Sequence, residues 1–276
     1  WNIARIKAAA GEISKTIQMN QELGEIVWAG ARGALEKAQE ISDEFGESIF
    51  LIEKRIFLHQ QAGGLEAQKK YVATVKRALQ GGVAPFLSHH FSVRNEPSTS
   101  VARFTADVKK RCEKIKDREL AVYLEYKLTK QWPSDEAEIA SVLRVEQNNA
   151  SIDVYETFVC LLSAVRSGRL QVGIDVDAIV HELSCIEDRR LSTSASSLGL
   201  SGKTMDSLVS GHYRQAMKEC LGRQCLNIED IITASICRAQ AAQGHGCERE
   251  ARSLRNQVVS RFAEALLATE RSVAAK

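Results

Sequence analysis

Proline is the residue a helix tolerates least, and this chain nearly lacks it. Its three prolines are Pro85, Pro97 and Pro133, and none occurs from 134 to 276. A proline inside a helix removes a donor and clashes with the preceding turn, so its scarcity leaves room for long helices. No segment shows the strand signature of alternating apolar and polar residues bounded by turn chemistry. The expected fold class is all-α, a multi-helix bundle of about ten or eleven helices. An N-terminal long helical hairpin would precede a larger helical domain.

The first sixty residues carry the clearest period. One series reads Ile3, Ala10, Ile17, Gly24, Ala31, Ala38, Phe45 and Ile52. A second reads Ile6, Ile13, Asn20, Val27, Ala34 and Ile41, then loses phase at Ser48 and Arg55; Ile49 and Ile56 resume the stripe one place later. A repeat of about 3.5 residues is a helical seam. Small residues at its middle (Gly24, Ala31, Ala34, Ala38) let two backbones approach closely. The spacing predicts helices over 2–29 and 33–61 and a third over 65–80. The seam could also serve a second copy of the chain, making a homo-oligomer.

Gly81-Gly82, Pro85, Pro97 and the polar stretch Asn95–Ser100 read as a boundary. The domain expectation is therefore 1–81, a boundary loop over 82–99, and a helical bundle over 100–276. Ser100 can cap a helix whose inward face is Phe104, Val108, Cys112 and Ile115. Further helices are expected near 118–131, from Ser134, over 151–167 up to Gly168, and over 175–189. A small, polar loop is expected over 191–203, then helices over 203–221, 227–243 and 247–273.

Charge adds a clue through its distribution. Residues 65–130 hold fourteen basic and seven acidic side chains, a net +7, between flanks of −2 and −3. Arg103, Lys110, Lys114 and Arg118 are spaced by seven, four and four, and His89-His90 sits in the expected boundary loop. These six are the candidate partner-binding residues. A basic row can meet phosphates or an acidic protein, though Asp107 and Glu113 interrupt it and no aromatics interleave for base stacking.

Catalytic signatures are missing. There is no Gly-x-Ser-x-Gly elbow, no P-loop and no Gly-x-Gly-x-x-Gly after a strand. Asp175-x-Asp177 and Glu229-Asp230 do not place two carboxylates one turn apart, and read as helix-start charges. The seven cysteines are odd in number and scattered, with no secretory leader. Free, buried thiols in the cytoplasm or another reducing compartment are expected. Zinc would need Cys220, Cys225, His245 and Cys247, where the first pair is at the edge of the usual spacing and the second is too close; His181 and Cys185 are spaced to share one helix face. No cofactor and no catalytic residue is expected. No stretch approaches the ~18 apolar residues of a membrane span.

Three short resemblances complete the reading. Trp132 and Glu136 match the spacing of a motif in helical bacterial effectors that act on small GTPases, with Pro133 between them marking a helix start. Leu208–Met217, which contains Tyr213-Arg214, resembles a Leu-rich stretch in the all-helical gatekeeper proteins of type III secretion. The latter implies a regulator binding a chaperone or export-apparatus partner; an amphipathic helix explains the same residues. Arg189-Arg190-Leu191-Ser192 resembles a basophilic kinase site, or simply a basic helix end. The leading expectation is a non-enzymatic protein-interaction module: a scaffold, adaptor or secretion-related regulator. The alternatives are a nucleic-acid-binding protein using the 103–118 helix, and a helical enzyme or zinc-stabilised domain.

Overall fold

The computed structural model describes residues 2–192, apart from 30, 97, 167 and 169, together with Gln215. The described residues form an all-α multi-helix bundle without strands. The helices expected beyond 203, the loop from 193, the 208–217 stretch and Cys220, Cys225, Cys237, Cys247 and His245 lie outside the described residues, Gln215 aside.

Helices α1 (Asn2–Ala8) and α2 (Ala10–Ala29) are separated by a single turn residue, Ala9. Helix α3 (Ala31–Phe45) packs back on α2. The helix expected over 33–61 is broken after α3. Gly46 takes a left-handed φ of 82°, and Ser48 accepts the Leu51 N–H at 3.1 Å to cap α4 (Ile49–Ala78). The one-place slip of the seam at Ser48 is this break. Helix α4 in turn joins what the spacing separates at 62–64. It is kinked at Gly64 (φ 73°, ψ −167°), a backbone region open almost solely to glycine.

The loop expected over 82–99 contains a helix, α5 (Ala84–Asn95). Gly81 and Gly82 reverse the chain with positive φ. Pro85 then lies in the first turn of α5, where a missing N–H goes unneeded. The buried face of α5 holds Leu87 and Phe91 but also Ser88, Ser92 and Asn95. Gln68 on α4 satisfies part of it, donating to the Ser92 carbonyl at 2.8 Å and to its Oγ at 2.7 Å. A buried face so rich in polar groups carries little apolar period, so the helix was not visible in the spacing.

Ser100 caps α6 (Val101–Cys112), and Phe104, Val108 and Cys112 are buried as their spacing requires. Asp117 caps α7 (Arg118–Thr129), which ends at Lys130 in the left-handed region (φ 56°). Helix α8 (Glu136–Glu146) is capped by Asp135, not Ser134. Asp135 accepts the Glu138 N–H at 2.9 Å, while Ser134 donates its own N–H and hydroxyl to the Glu138 carboxylate. Helix α9 (Ser151–Arg166) is followed by Gly168 with φ 72°. Asp175 caps the short α10 (Val176–Glu182), and α11 is Arg189–Ser192.

Three apolar clusters hold these helices. The largest runs from α4 to α9 and includes Ile52, Ile56, Tyr71, Phe91, Tyr123, Leu128 and Leu161. In the second, Ile6, Ile13 and Ile17 meet Tyr155, Phe158 and Leu162 of α9 and Leu183. In the third, Met19 and Leu23 meet Ala34 and Ala38 of α3 and Leu51 and Leu58 of α4. Each such isoleucine or leucine taken out of water contributes about 2 kcal/mol. Much of the N-terminal seam thus packs within the chain. Ile6, Ile13, Ile17, Ala34, Ala38 and Ile41 are all buried by the chain's own helices.

Candidate functional site

The structure separates the basic row read from the sequence. Arg103 and Lys110 are exposed on α6, but α6 stops at Cys112. Lys114 falls in the turn that follows, and Arg118 opens α7. Arg118 is tied to Glu138 of α8 at 3.1 Å, although its side chain is 74% exposed. Exposed Asp107 shares the surface of α6. The four cations therefore form no continuous track.

His89 and His90 differ sharply. His89 is exposed on α5, whereas His90 is only 6% exposed. Nδ1 of His90 donates to the Phe86 carbonyl at 3.0 Å, since a carbonyl can only accept. That bond places the ring proton on Nδ1 and leaves Nε2 as a buried base without a partner. The Phe86 ring, 40% exposed, lies 4.2 Å from the His90 ring, and the two imidazoles meet edge-on at 5.2 Å.

Two further cations converge on this pair. Lys76 lies in the last turn of α4 and Arg111 in the last turn of α6, both exposed. Burial lowers the pKa of His89, and the positive charges of Lys76 and Arg111 lower it further; Glu96 opposes them. His90 is lowered by burial first, with His89, Arg111 and Lys76 acting the same way. Among the described residues neither Lys76 nor Arg111 has an acidic partner, while Lys69 pairs with Glu96 at 3.5 Å and Lys109 with Glu125 at 3.9 Å. Val75 of α4, Leu87 of α5 and Cys112 of α6 belong to one apolar cluster, and the charges of Lys76 and Arg111, beside the first and last of these, act on both imidazoles. The sequence reading missed Lys76, Arg111 and Phe86. Arg111 stands in the run Lys109-Lys110-Arg111, but nothing along the chain links it to Lys76.

The other concentrations of charge are internal. Glu146 is wholly buried and accepts from Lys127 at 2.7 Å, Thr157 Oγ1 at 2.7 Å, Tyr123 at 3.3 Å and Asn149 at 2.9 Å. Beside it, Asp153 accepts the N–H groups of Ile49 at 3.0 Å and Phe50 at 2.8 Å, so it caps α4 from α9. Burial raises the Asp153 carboxyl, and the Glu146 charge adds to that. Burial opposes the charge on Lys127, but Glu146 and Asp153 outweigh it and hold the ammonium above its ordinary value. Glu53 is held by Arg94 at 2.7 Å and Lys130 at 3.1 Å. Burial pushes its carboxyl upward, but the two cations win and keep it well below the usual range. Arg190 joins Glu156 at 2.5 Å and Asp188 at 2.7 Å, and Tyr155 donates to Asp188 at 2.8 Å. These groups face one another inside the fold, where they join helices.

Among the described residues no group of three His, Cys, Asp or Glu could hold a metal ion. His181 and Cys185 are both exposed, and α10 ends at Glu182. Cys185 therefore lies in the following turn and is not a buried thiol, whereas Cys112 is buried. Trp132 packs against the main cluster, and Glu136 accepts the Gly173 N–H at 3.2 Å from the first turn of α8. No described helix is long and apolar enough to cross a membrane. Comparison of the chain with protein-family models, curated proteins and solved structures finds no match.

Proposed function

We propose that the chain is a non-enzymatic protein-interaction module, and that the face built from Lys76, Phe86, His89 and Arg111 is where its partner docks. The observation that carries this reading is exposed Phe86 packed 4.2 Å from the His90 ring, beside exposed His89, where the charges of exposed Lys76 and Arg111 act on both imidazoles. Long-lived unpaired cations are common on surfaces, but a large aromatic beside them adds apolar area that a partner can cover. Arginine and aromatic residues are the types that dominate binding energy at protein interfaces.

The test is site-specific photocrosslinking in an extract of the source cells. A crosslinking amino acid at position 86 should give protein adducts that a control at exposed Glu36 does not. The double variant Lys76→Glu/Arg111→Glu should remove them, and nuclease treatment should not. Identical adducts from positions 86 and 36, or adducts indifferent to charge reversal, would overturn the reading.

Nucleic-acid binding is the second reading, supported by the net positive charge of the middle segment. Its signature is adducts to RNA or DNA that disappear with nuclease. Against it stands the interrupted row: a strand of phosphates needs cations in series, and Asp107, the turn at 113–116 and the Arg118–Glu138 pair break the series.

A further inference from the structure

We infer that the face around Phe86 takes an acidic peptide segment bearing an apolar side chain, and that acidification tightens its grip through His89. This rests on the interaction reading above and adds the chemistry of the partner and its control. The face draws on three helices that share an apolar cluster through Val75, Leu87 and Cys112: Lys76 comes from the end of α4, Arg111 from the end of α6 and His89 from α5. It has one exposed apolar group, Phe86, backed by the buried ring of His90. Carboxylates on a short segment can reach the cations while an apolar neighbour covers the ring. A polyphosphate backbone offers no such apolar group and needs a longer track.

The proton linkage follows from the charges that act on the imidazole. Those facing it are Lys76 from α4, Arg111 from α6, His90 from its own helix, and Glu96 just past α5. Partial burial first, and then Lys76 and Arg111, disfavour a positive charge on the imidazole, so on the empty face the His89 pKa lies below its ordinary value. A bound carboxylate pairs with those same cations and adds negative charge beside the ring. Both effects favour protonated His89. Since the complex then binds a proton more readily than the empty face, the peptide must bind more tightly as pH falls. His90, whose Nε2 is buried without a partner, would follow only where the ring can gain an acceptor.

Fluorescence anisotropy tests this with the full chain, a labelled peptide of ten aspartates and one central leucine, and a labelled dT10 oligonucleotide. Aspartate stays ionised across pH 5.5 to 7.5, so the probe does not titrate. The peptide Kd should fall by about fivefold between pH 7.5 and 5.5, roughly the factor for a partial-unit rise in one pKa. His89→Gln should lose most of the pH dependence, its Kd changing by less than about twofold between pH 7.5 and 5.5. A pH-independent Kd, or an unchanged pH dependence in His89→Gln, overturns the proton linkage and leaves the interaction reading intact. Tighter binding of dT10 than of the peptide overturns the acidic-peptide assignment. No binding of either probe, or binding untouched by Lys76→Glu/Arg111→Glu, overturns the interaction reading itself. Circular dichroism of each variant confirms that the helices are retained.

Discussion

Asp153 shows how much one residue can do here. It sits in the first turn of α9 and caps α4, 104 positions away, by accepting two N–H groups. Replacing it with alanine removes a cap and leaves buried donors unmet, so Asp153→Ala should cost about 3 kcal/mol in urea unfolding. Asp153→Asn asks a different question. In the fold the carboxyl is raised from 3.8 to about 6, so between those values the folded chain keeps a proton that the unfolded chain releases. Stability contributed by Asp153 is therefore greatest below about pH 4, falls as pH climbs, and levels off above pH 6. The wild type should lose about 2–3 kcal/mol relative to Asp153→Asn across that window, read from urea titrations at stepped pH. Lys130 offers a second residue-level test. Its left-handed backbone (φ 56°) is unfavourable for any residue but glycine, and its ammonium holds Glu53. Lys130→Ala loses the ion pair and keeps the strain; Lys130→Gly loses the pair and sheds the strain. The glycine variant should be the more stable by about 1 kcal/mol.

At the scale of helices, the chain's own punctuation was legible where one residue type had one meaning. Ser100 before a four-four-three apolar spacing marked α6, and the stripe's slip at Ser48 marked a break, although the reading carried the helix through it to 61. Glycine and proline were ambiguous. The gap expected between helices at 62–64 is a kink at Gly64 within α4; Pro85 reads as loop and starts α5. Both residues permit a break without requiring one, and packing between α4 and α5 decides. Two glycine substitutions separate these roles. At Gly64 an added Cβ meets nothing within 4 Å, but φ is +73°, so Gly64→Ala should cost about 2 kcal/mol through the backbone alone. At Gly11 of α2 an added Cβ also meets nothing within 4 Å, and the backbone is helical. There Gly11→Ala should stabilise by about 0.5–1 kcal/mol. Thermal melts of the two variants against wild type check both signs.

Across the whole molecule, distant segments share clusters. Residues near the start of the described chain (Ile6, Ile13) are buried against Tyr155 and Leu183, while α3 and α4 close over Leu23. Such sharing should make unfolding cooperative. Ile13→Ala and Leu58→Ala, in separate clusters, should each cost about 3 kcal/mol, with costs that add and a single denaturant transition read by both circular dichroism and tryptophan fluorescence. Two separate transitions would show independent units. This scale was the least legible in the sequence. The heptad seam named Ile6, Ile13, Ile17, Ala34, Ala38 and Ile41 as inward, yet periodicity gives the buried face of a helix without saying what covers it. The same limit hid the face around Phe86, since Lys76, His89 and Arg111 become neighbours only once α4, α5 and α6 have packed.

The contact between α1 and the α8–α9 connection also has a consequence in time. Arg5 donates to the carbonyls of Gln147 and Asn149, the first of these 142 positions downstream. At a synthesis rate of about 5–20 residues per second, α1 waits roughly 7–30 seconds on the ribosome before those acceptors exist. Throughout that interval Ile6 and Ile13 lack the α9 side chains that bury them. First made of the described helices, α1 is thus one of the last of them to find its place, and the nascent chain carries an uncovered apolar stripe that a chaperone can hold.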